Sequence, residues 1–199
     1  MRSLELPLFP LKTVLFPGGI LPLKVFEQRY IEMTKACLAN ELPFGVCLVT
    51  QGEEVARADE APATFASIGT LASITSWDMP EPGILHIGVV GGARFRVVSH
   101  AVRRDGLVVG KVAAIPAEPT VALPAACAPL VRLLEALAQR VGPQHFPAQH
   151  AFEDASWVGY RLAELLPLPL HIKQTMLEVN DSEVRLSVLQ KFLRQQGLV

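Results

Sequence analysis

Residues 6–30 read LPLFPLKTVLFPGGILPLKVFEQRY, and this stretch decides the fold. At its start, apolar side chains alternate with proline, which cannot donate a hydrogen bond to a neighbouring strand. Leu4–Leu8, with Pro7 inside it, is therefore predicted to be a short edge strand. The sequence Pro17-Gly18-Gly19 is a turn signal, and an extended run over residues 20–25 follows it. The chain thus begins with two strands joined by a turn.

A helix is predicted directly after these strands, over about residues 26–39. Its apolar residues recur at the 3.6-residue period of an amphipathic helix. They are Phe26, Tyr30, Met33 and Cys37. Further strands are predicted downstream from short runs of apolar and β-branched residues. Two of these runs, Arg94–Arg103 and Leu107–Ala114, flank Asp105-Gly106, and this dipeptide predicts a hairpin with a type I′ turn.

A proline-rich segment near residue 116 divides the chain into two parts with different periodicity. We predict a β-rich subdomain over residues 1–116 and a helical subdomain over residues 117–199. In the second part, four segments follow a helical period, and Asp181 can cap the last of them. The predicted core face of that last helix consists of Val184, Leu186, Leu189, Phe192 and Leu193. The fold class is therefore α+β, with a β-rich half followed by a small helical bundle.

The composition is that of a globular protein with balanced charge. Half of the 199 residues are hydrophobic, and 18 basic residues nearly cancel 19 acidic ones, which leaves a net charge of -1. This balance argues against nucleic acid and anionic membranes as partners. No signal peptide and no membrane-spanning stretch is predicted. The three cysteines lie in apolar runs, as reduced thiols do, so we expect a cytoplasmic protein.

Motifs for nucleotide binding and for serine catalysis are missing from the sequence. The only Gly-Lys pair, Gly110-Lys111, lacks the remaining residues of a phosphate-binding P-loop. Neither G-x-G-x-x-G nor the serine motifs G-x-S-x-G and S-x-x-K occur. We therefore expect a protein that works without ATP and without a bound cofactor.

Metal and thiol chemistry have little support in the sequence. Pro147 separates His145 from His150 and breaks the helix that would align them as metal ligands, so no metal site is predicted. A cysteine nucleophile with a histidine partner stays open as a hypothesis. Cys37 and Cys47, however, lie in apolar runs that suppress the reactive thiolate. The chain is predicted not to be an enzyme.

Four arginines form the one basic cluster: Arg94, Arg96, Arg103 and Arg104. Alternation along a strand places Arg94 and Arg96 on one face of the sheet and Phe95 on the other. This pattern is typical of a sheet with one polar and one buried face. The alternative interpretation is a phosphate-binding stripe, which would make the protein a small-molecule or nucleic-acid binder.

Three groups of segments, in the same order along the chain, resemble the N-terminal substrate-binding domain of Lon proteases. The first group is residues 6–11, 15–19 and 21–30, which ends in Phe-Glu-Gln-Arg-Tyr. The second is residues 44–46, 68–72 and 92–95, and the third is residues 166–170, 173–174, 177–178 and 185–186. Several motif residues are expected to have structural roles: Pro17, Gly18, Glu27, Arg29, Tyr30, Phe95, Lys173, Gln174 and Glu178.

The resemblance implies a β-rich half related to PUA-like pseudo-barrels, followed by the helical bundle. It also implies a stand-alone, non-catalytic module, because neither the ATPase nor the protease part of Lon follows. The expected partners are unfolded or extended polypeptide segments, such as those handled by protease or chaperone systems. Two binding routes are predicted, an exposed strand edge and a groove between the two halves. The candidate binding residues are Phe9, Phe16, Phe26, Trp77, Arg94 and Arg96.

Overall fold

The computed structural model describes residues 4–53 and 63–197. They form two compact units, one within Met1–Pro116 and one within Ala117–Val199. The first contains six strands and one α-helix, and the second contains four α-helices among the described residues. This arrangement confirms the predicted α+β class with a β-rich N-terminal half. None of the described helices has both the length and the apolar composition needed to span a membrane.

The first unit is a nearly closed sheet. Its elements in chain order are β1 (Leu4–Leu11), β2 (Ile20–Val25), α1 (Gln28–Asn40), β3 (Phe44–Gln51), β4 (Thr64–Glu81), β5 (Ile84–Val102) and β6 (Val108–Ala114). The strand order is β2-β5-β4-β3-β1-β6, and β5 also pairs with β6. Five strands therefore close into a ring, as expected of a pseudo-barrel, and β2 is attached outside it. Closure depends on β5, whose 19 residues are enough to pair with three strands.

Two apolar clusters pack on opposite faces of this sheet. The smaller one consists of Leu6, Leu8, Cys47, Phe95 and Val112. The larger one lies on the side of α1, where Phe9 stacks on Tyr30 with ring centroids 3.9 Å apart. Tyr30, Met33 and Cys37 are buried, as the helical period predicted. Phe26 is an exception, because α1 begins only at Gln28 and the Phe26 side chain is 55% exposed.

The prediction that Leu4–Leu8 is an edge strand is wrong for the strand as a whole, because β1 pairs with two other strands. Residues Leu4–Leu8 pair with β6, whereas Leu8–Leu11 pair with β3. Strand β1 therefore lies inside the sheet, but its first half has no strand partner on one side among the described residues. The strand at the sheet edge is β2, which pairs only with β5 in the described part of the chain and contains Pro22.

The hairpin between β5 and β6 is confirmed, but the predicted turn type is wrong. A type I′ turn needs positive φ at two residues, and here only Gly106 has it, with φ of 82°. The Gly106 N–H donates to the carbonyl oxygen of Arg103, and the Arg103 N–H donates to that of Leu107. This geometry is that of a three-residue loop with a left-handed glycine.

The second unit is the predicted helical bundle. Its helices are α2 (Ala128–Val141), α3 (Ala155–Leu165), α4 (Leu170–Glu178) and α5 (Ser182–Gln195). The Asp181 carboxylate accepts the backbone N–H groups of Glu183 and Val184, so the predicted cap is confirmed. The predicted core face of α5 is only partly right. Leu186, Leu189 and Leu193 are buried, but Val184 is 48% exposed, and Arg185 is fully buried instead.

The Pro17-Gly18-Gly19 turn is fastened to β5 at a single residue, Gly91. The Gly18 N–H donates to the Gly91 carbonyl oxygen at 2.7 Å, and the Gly91 N–H donates to the Gly19 carbonyl oxygen at 2.8 Å. A Cβ atom at Gly91 would lie 2.1 Å from the Phe16 carbonyl oxygen. The turn can therefore approach β5 this closely only because residue 91 has no side chain.

We expect Gly91→Ala to lower the free energy of unfolding by about 2–4 kcal/mol, because the backbone of the turn must move away. The matched control is Gly92→Ala, whose Cβ would have no neighbour nearer than 3.5 Å. That variant should change stability by less than about 1 kcal/mol. Urea denaturation followed by circular dichroism measures both, and equal losses would contradict the explanation.

A candidate binding pocket beside helix α1

A pocket of about 530 Å³ opens in the first unit between α1 and the first half of β1. This volume lies within the range of ligand-binding clefts in proteins. Its lining includes the apolar side chains of Met33 in α1, Val109 in β6 and Leu107 directly before β6. The remaining lining residues are Leu4, Glu5, Leu6, Pro7, Arg29, Glu32, Ala36, Cys37, Asn40, Leu42, Pro43, Arg103 and Asp105.

One wall of the pocket is the side of Leu4–Pro7 that pairs with no strand in the described part of the chain. All four residues of Leu4–Pro7 line the pocket, and their pairing with β6 uses only the other side of the strand. Exposed apolar side chains lie on the same pocket, because Leu4 is 54% and Leu42 60% exposed. The pocket therefore combines an open strand backbone with apolar surface, which are the two elements that recognise extended peptides.

Arg29 holds the wall formed by α1 in place. Its Nη1 donates to the Gly106 carbonyl oxygen at 2.8 Å, and its Nη2 donates to Glu27 Oε2 at 2.8 Å. The guanidinium carbon also lies 4.6 Å from the centroid of the Tyr30 ring. The Phe-Glu-Gln-Arg-Tyr motif thus ties the start of α1 to the β5–β6 turn, and Arg29 is the one predicted motif residue that lines the pocket.

The candidate aromatic residues lie elsewhere in the first unit. Phe9 and Phe16 are core residues, with 6% and 0% exposure, so they offer no surface to a ligand. Phe26 and Trp77 are 55% and 62% exposed, but neither lines this pocket. Apolar periodicity and turn signals did not separate the aromatic residues that pack inside from those that remain outside.

The four arginines do not form one accessible stripe. Arg94 is 4% exposed, whereas Arg96 and Arg104 are exposed on the surface. Arg103 is exposed too, but its guanidinium forms an ion pair with Asp105 at 3.1 Å. The alternative interpretation of a phosphate-binding stripe therefore has little support. Arg94 is buried, Arg103 is neutralised by Asp105, and Arg96 and Arg104 are the two members that lie on the surface.

The thiols are buried and protonated at neutral pH. Burial raises the pKa of the Cys47 thiol to about 12 and also raises the pKa of Cys37. Cys37, Cys47 and Cys127 are all free and buried. Since the thiolate is the nucleophile, this geometry argues against the cysteine-nucleophile hypothesis.

Comparison with known proteins gives the family. The family model described as the ATP-dependent protease La (LON) substrate-binding domain matches residues 5–195. The chain belongs to the Lon substrate-binding domain family. Among solved structures, the Lon N-terminal domain protein from Xanthomonas campestris superposes with a TM-score of 0.77 and 34% identity. That match covers 94% of this chain and 98% of the other.

Full-length Lon proteases match over the same domain. Lon protease 2 of Myxococcus xanthus is 28% identical over 96% of this chain, and Lon protease of Anaeromyxobacter dehalogenans is 26% identical over 96%. The chain spans about a quarter of the length of these relatives, 24% and 23%. The N-terminal domain of Mycobacterium avium complex Lon protease shares the fold, with a TM-score of 0.61 at 18% identity over 93% of this chain and 95% of the other.

The C-terminal motif residues of the Lon resemblance belong to the packing of the helical unit. Lys173 Nζ donates to the Glu164 carbonyl oxygen at 2.7 Å, and burial lowers the pKa of Lys173. Gln174 Nε2 donates to Glu178 Oε1 at 2.8 Å within α4. The Lys173 contact joins α4 to the end of α3, and the Gln174 contact links two successive turns of α4.

The main polar network of this Lon-type helical unit is not indicated by any pattern in the sequence. The side chain of Arg185 is fully buried, and its two terminal nitrogens donate to Glu118 at 2.9 and 2.5 Å. Glu118 also accepts hydrogen bonds from Ser156 and Tyr160, and the Arg185 guanidinium lies over the Tyr160 ring. Gly159 makes room for it, since a Cβ there would lie 3.1 Å from Arg185 Cδ.

These partners control the pKa of Glu118. Burial alone raises the pKa of this carboxyl, but the hydrogen bonds from Arg185, Tyr160 and Ser156 and the charge of Arg185 outweigh it. The pKa is therefore below its ordinary value of 4.5 in the folded protein. A group with a lowered folded pKa stabilises the fold above its unfolded pKa, and this contribution is lost as the pH falls through the folded pKa.

We expect Glu118→Gln to lower the free energy of unfolding at pH 7 by about 2–4 kcal/mol, because it leaves a buried guanidinium without its counter-charge. The difference from the wild type should shrink as the pH falls from 4.5 through the lowered pKa of Glu118, because the unfolded chain takes up a proton there before the folded protein does. Urea denaturation at several pH values measures this. Glu135→Gln, on the exposed side of α2, is the control, and a pH-independent difference for Glu118→Gln would contradict the assignment.

Proposed function

We propose that this protein is a non-catalytic recognition module that binds unfolded or extended polypeptide segments in the pocket beside α1. The observation that carries this proposal is the free side of Leu4–Pro7 along the wall of the pocket. Backbone groups on such a side pair with any extended chain, whatever its sequence. A protein that must bind many unfolded clients needs this kind of tolerance.

Apolar surface next to the free strand side supplies the affinity. Burial of apolar surface contributes about 25 cal/mol per Å². The exposed side chains of Leu4 and Leu42 and the partly exposed Val109 provide that surface. An unfolded segment exposes apolar side chains that a folded protein buries, so the pocket distinguishes unfolded clients from native proteins.

Membership of the Lon substrate-binding domain family supports the same role, since the matched region is the part named for binding substrate. We propose that recognition here does not require ATP and that clients pass to protease or chaperone systems. The three buried free cysteines suit a reducing compartment, so we assign the protein to the cytoplasm. The alternative of a nucleic-acid or phosphate ligand has less support, because Arg94 is buried and Arg103 is paired.

A bulky residue on the pocket wall should block binding. Ala36 is an exposed residue of α1 that lines the pocket, whereas Ala39 is exposed on the same helix outside it. We expect Ala36→Trp to weaken binding of a fluorescein-labelled, unstructured decapeptide at least about tenfold, since about 1.4 kcal/mol of lost contact corresponds to that factor.

Fluorescence anisotropy of the labelled peptide measures the affinity. Ala39→Trp carries the same substitution on the same helix and should bind like the wild type. Circular dichroism verifies that both variants are folded. Equal binding by both variants would place the binding surface elsewhere, and no binding to the wild type at high micromolar concentration would refute the function.

A further inference from the structure

We infer that the pocket beside α1 selects extended segments in which a lysine or arginine lies two positions from an apolar residue. This inference rests on the proposed function and adds a chemical class of client to it. It follows from the charges around the pocket. The arginines there are already paired with carboxylates, whereas the Glu5 carboxylate has no ion-pair partner among the described residues and the last turn of α1 contains no basic side chain.

The carboxylate is that of Glu5. Its side chain is exposed on the free half of β1 and lines the pocket. Among the described residues, Glu5 has neither a hydrogen-bond partner nor an ion-pair partner for its side chain. Lys111 lies opposite Glu5 in the register of β1 and β6, and together with Arg103 it lines a second cleft that Glu5 also borders, but neither cation forms an ion pair with Glu5 in the described part of the chain. An incoming cation would therefore find an unused carboxylate directly beside the strand it joins.

The two arginines of the pocket do not offset this charge. Arg29 divides its terminal nitrogens between the Glu27 carboxylate and the Gly106 carbonyl oxygen, both at 2.8 Å. Arg103 is paired with Asp105 at 3.1 Å. Each guanidinium is thus matched by a carboxylate of its own. An acidic client segment would have to compete with these pairs, whereas a basic one would not.

The end of α1 adds to the negative potential. A helix carries about half a negative charge at its C-terminus, and proteins often offset it with lysine or arginine in the last turn. The last turn of α1, which the structure describes in full, contains no basic residue, and Asn40 and Leu42 at this end line the pocket. Glu32 also lines the pocket, but its Oε1 forms an ion pair with Nζ of the exposed Lys35 at 2.9 Å.

The geometry of a strand explains how a single bound segment can present both a basic and an apolar side chain to the pocket. Alternate side chains of an extended chain point to the same side, about 7 Å apart. A segment alongside Leu4–Pro7 can therefore direct one side chain to the apolar lining and the next on that side to Glu5. The favoured client is an unfolded segment in which a basic and an apolar residue lie two positions apart.

Three labelled decapeptides that differ only at one central position, occupied by Lys, Gln or Glu, test the inference. At low salt the Lys peptide should bind about five- to tenfold more tightly than the Glu peptide, with the Gln peptide between them. The preference should shrink at high salt, because exposed charges are screened. Anisotropy titrations against the full chain measure all three affinities.

Two substitutions of Glu5 test whether its carboxylate causes the preference for the Lys peptide. Glu5→Gln should reduce the preference for Lys to about twofold, and Glu5→Lys should abolish or reverse it. Glu81→Lys is the matched control, because Glu81 is also exposed and lies in the same unit outside the pocket. It changes the net charge of the protein equally and should keep the preference of the wild type.

The outcomes separate this inference from the proposed function. If all three peptides bind equally and Ala36→Trp weakens all of them, the pocket binds polypeptides without a charge preference, and only this inference is overturned. If Glu81→Lys removes the preference as Glu5→Lys does, the net charge of the protein is responsible, and the inference fails. If no peptide binds, both the function and the inference are refuted.

Discussion

The first unit depends on the exchange of partners that β1 makes at Leu8. This residue is fully buried and takes part in both pairings, with β6 before it and β3 after it. Its side chain reaches both neighbouring strands, where a Cβ atom at Gly45 or Gly110 would lie 2.7 or 2.8 Å from it. Inside a ring of five strands there is no room for three side chains at the level of Leu8. Glycine is therefore required at positions 45 and 110, on the two strands beside it. The same exchange leaves Leu4–Pro7 with a free side, and the pocket lies along it.

The main features of the fold could be predicted from local patterns, and the details that failed depend on contacts distant in sequence. Proline at residue 7 correctly indicated a strand side without a partner, but local sequence does not show that the second half of β1 is enclosed by β3. Phe26 followed the period of the helix, yet Val25 is still paired with Leu85 of β5, and this pairing delays the start of α1. The period of α5 favoured Val184 for the core, whereas the structure buries Arg185.

The candidate pocket could not be predicted because its walls come from segments far apart in the chain. Residues near 5, 33, 42 and 107 meet there only after the ring has closed. Of the six candidate binding residues and the motif residues, Arg29 alone lines the pocket, and the signal for it was the Phe-Glu-Gln-Arg-Tyr motif. Arg103 of the basic cluster lines the pocket as well. The Glu118–Arg185 pair was hidden for a related reason. A hydrophobicity pattern assigns arginine to the surface, and only the tertiary structure shows four hydrogen-bond donors around one carboxylate.

The distribution of charge in the two units favours a binding role over a catalytic one. In the helical unit, buried ions are committed to each other, as Arg185 is to Glu118 and Arg161 is to Glu164 at 3.2 Å. Such pairs fix the geometry of the helical unit. Beside α1 the groups that remain unpaired among the described residues are a strand backbone, apolar side chains and the Glu5 carboxylate. These are the groups that the proposed binding of an extended chain would use.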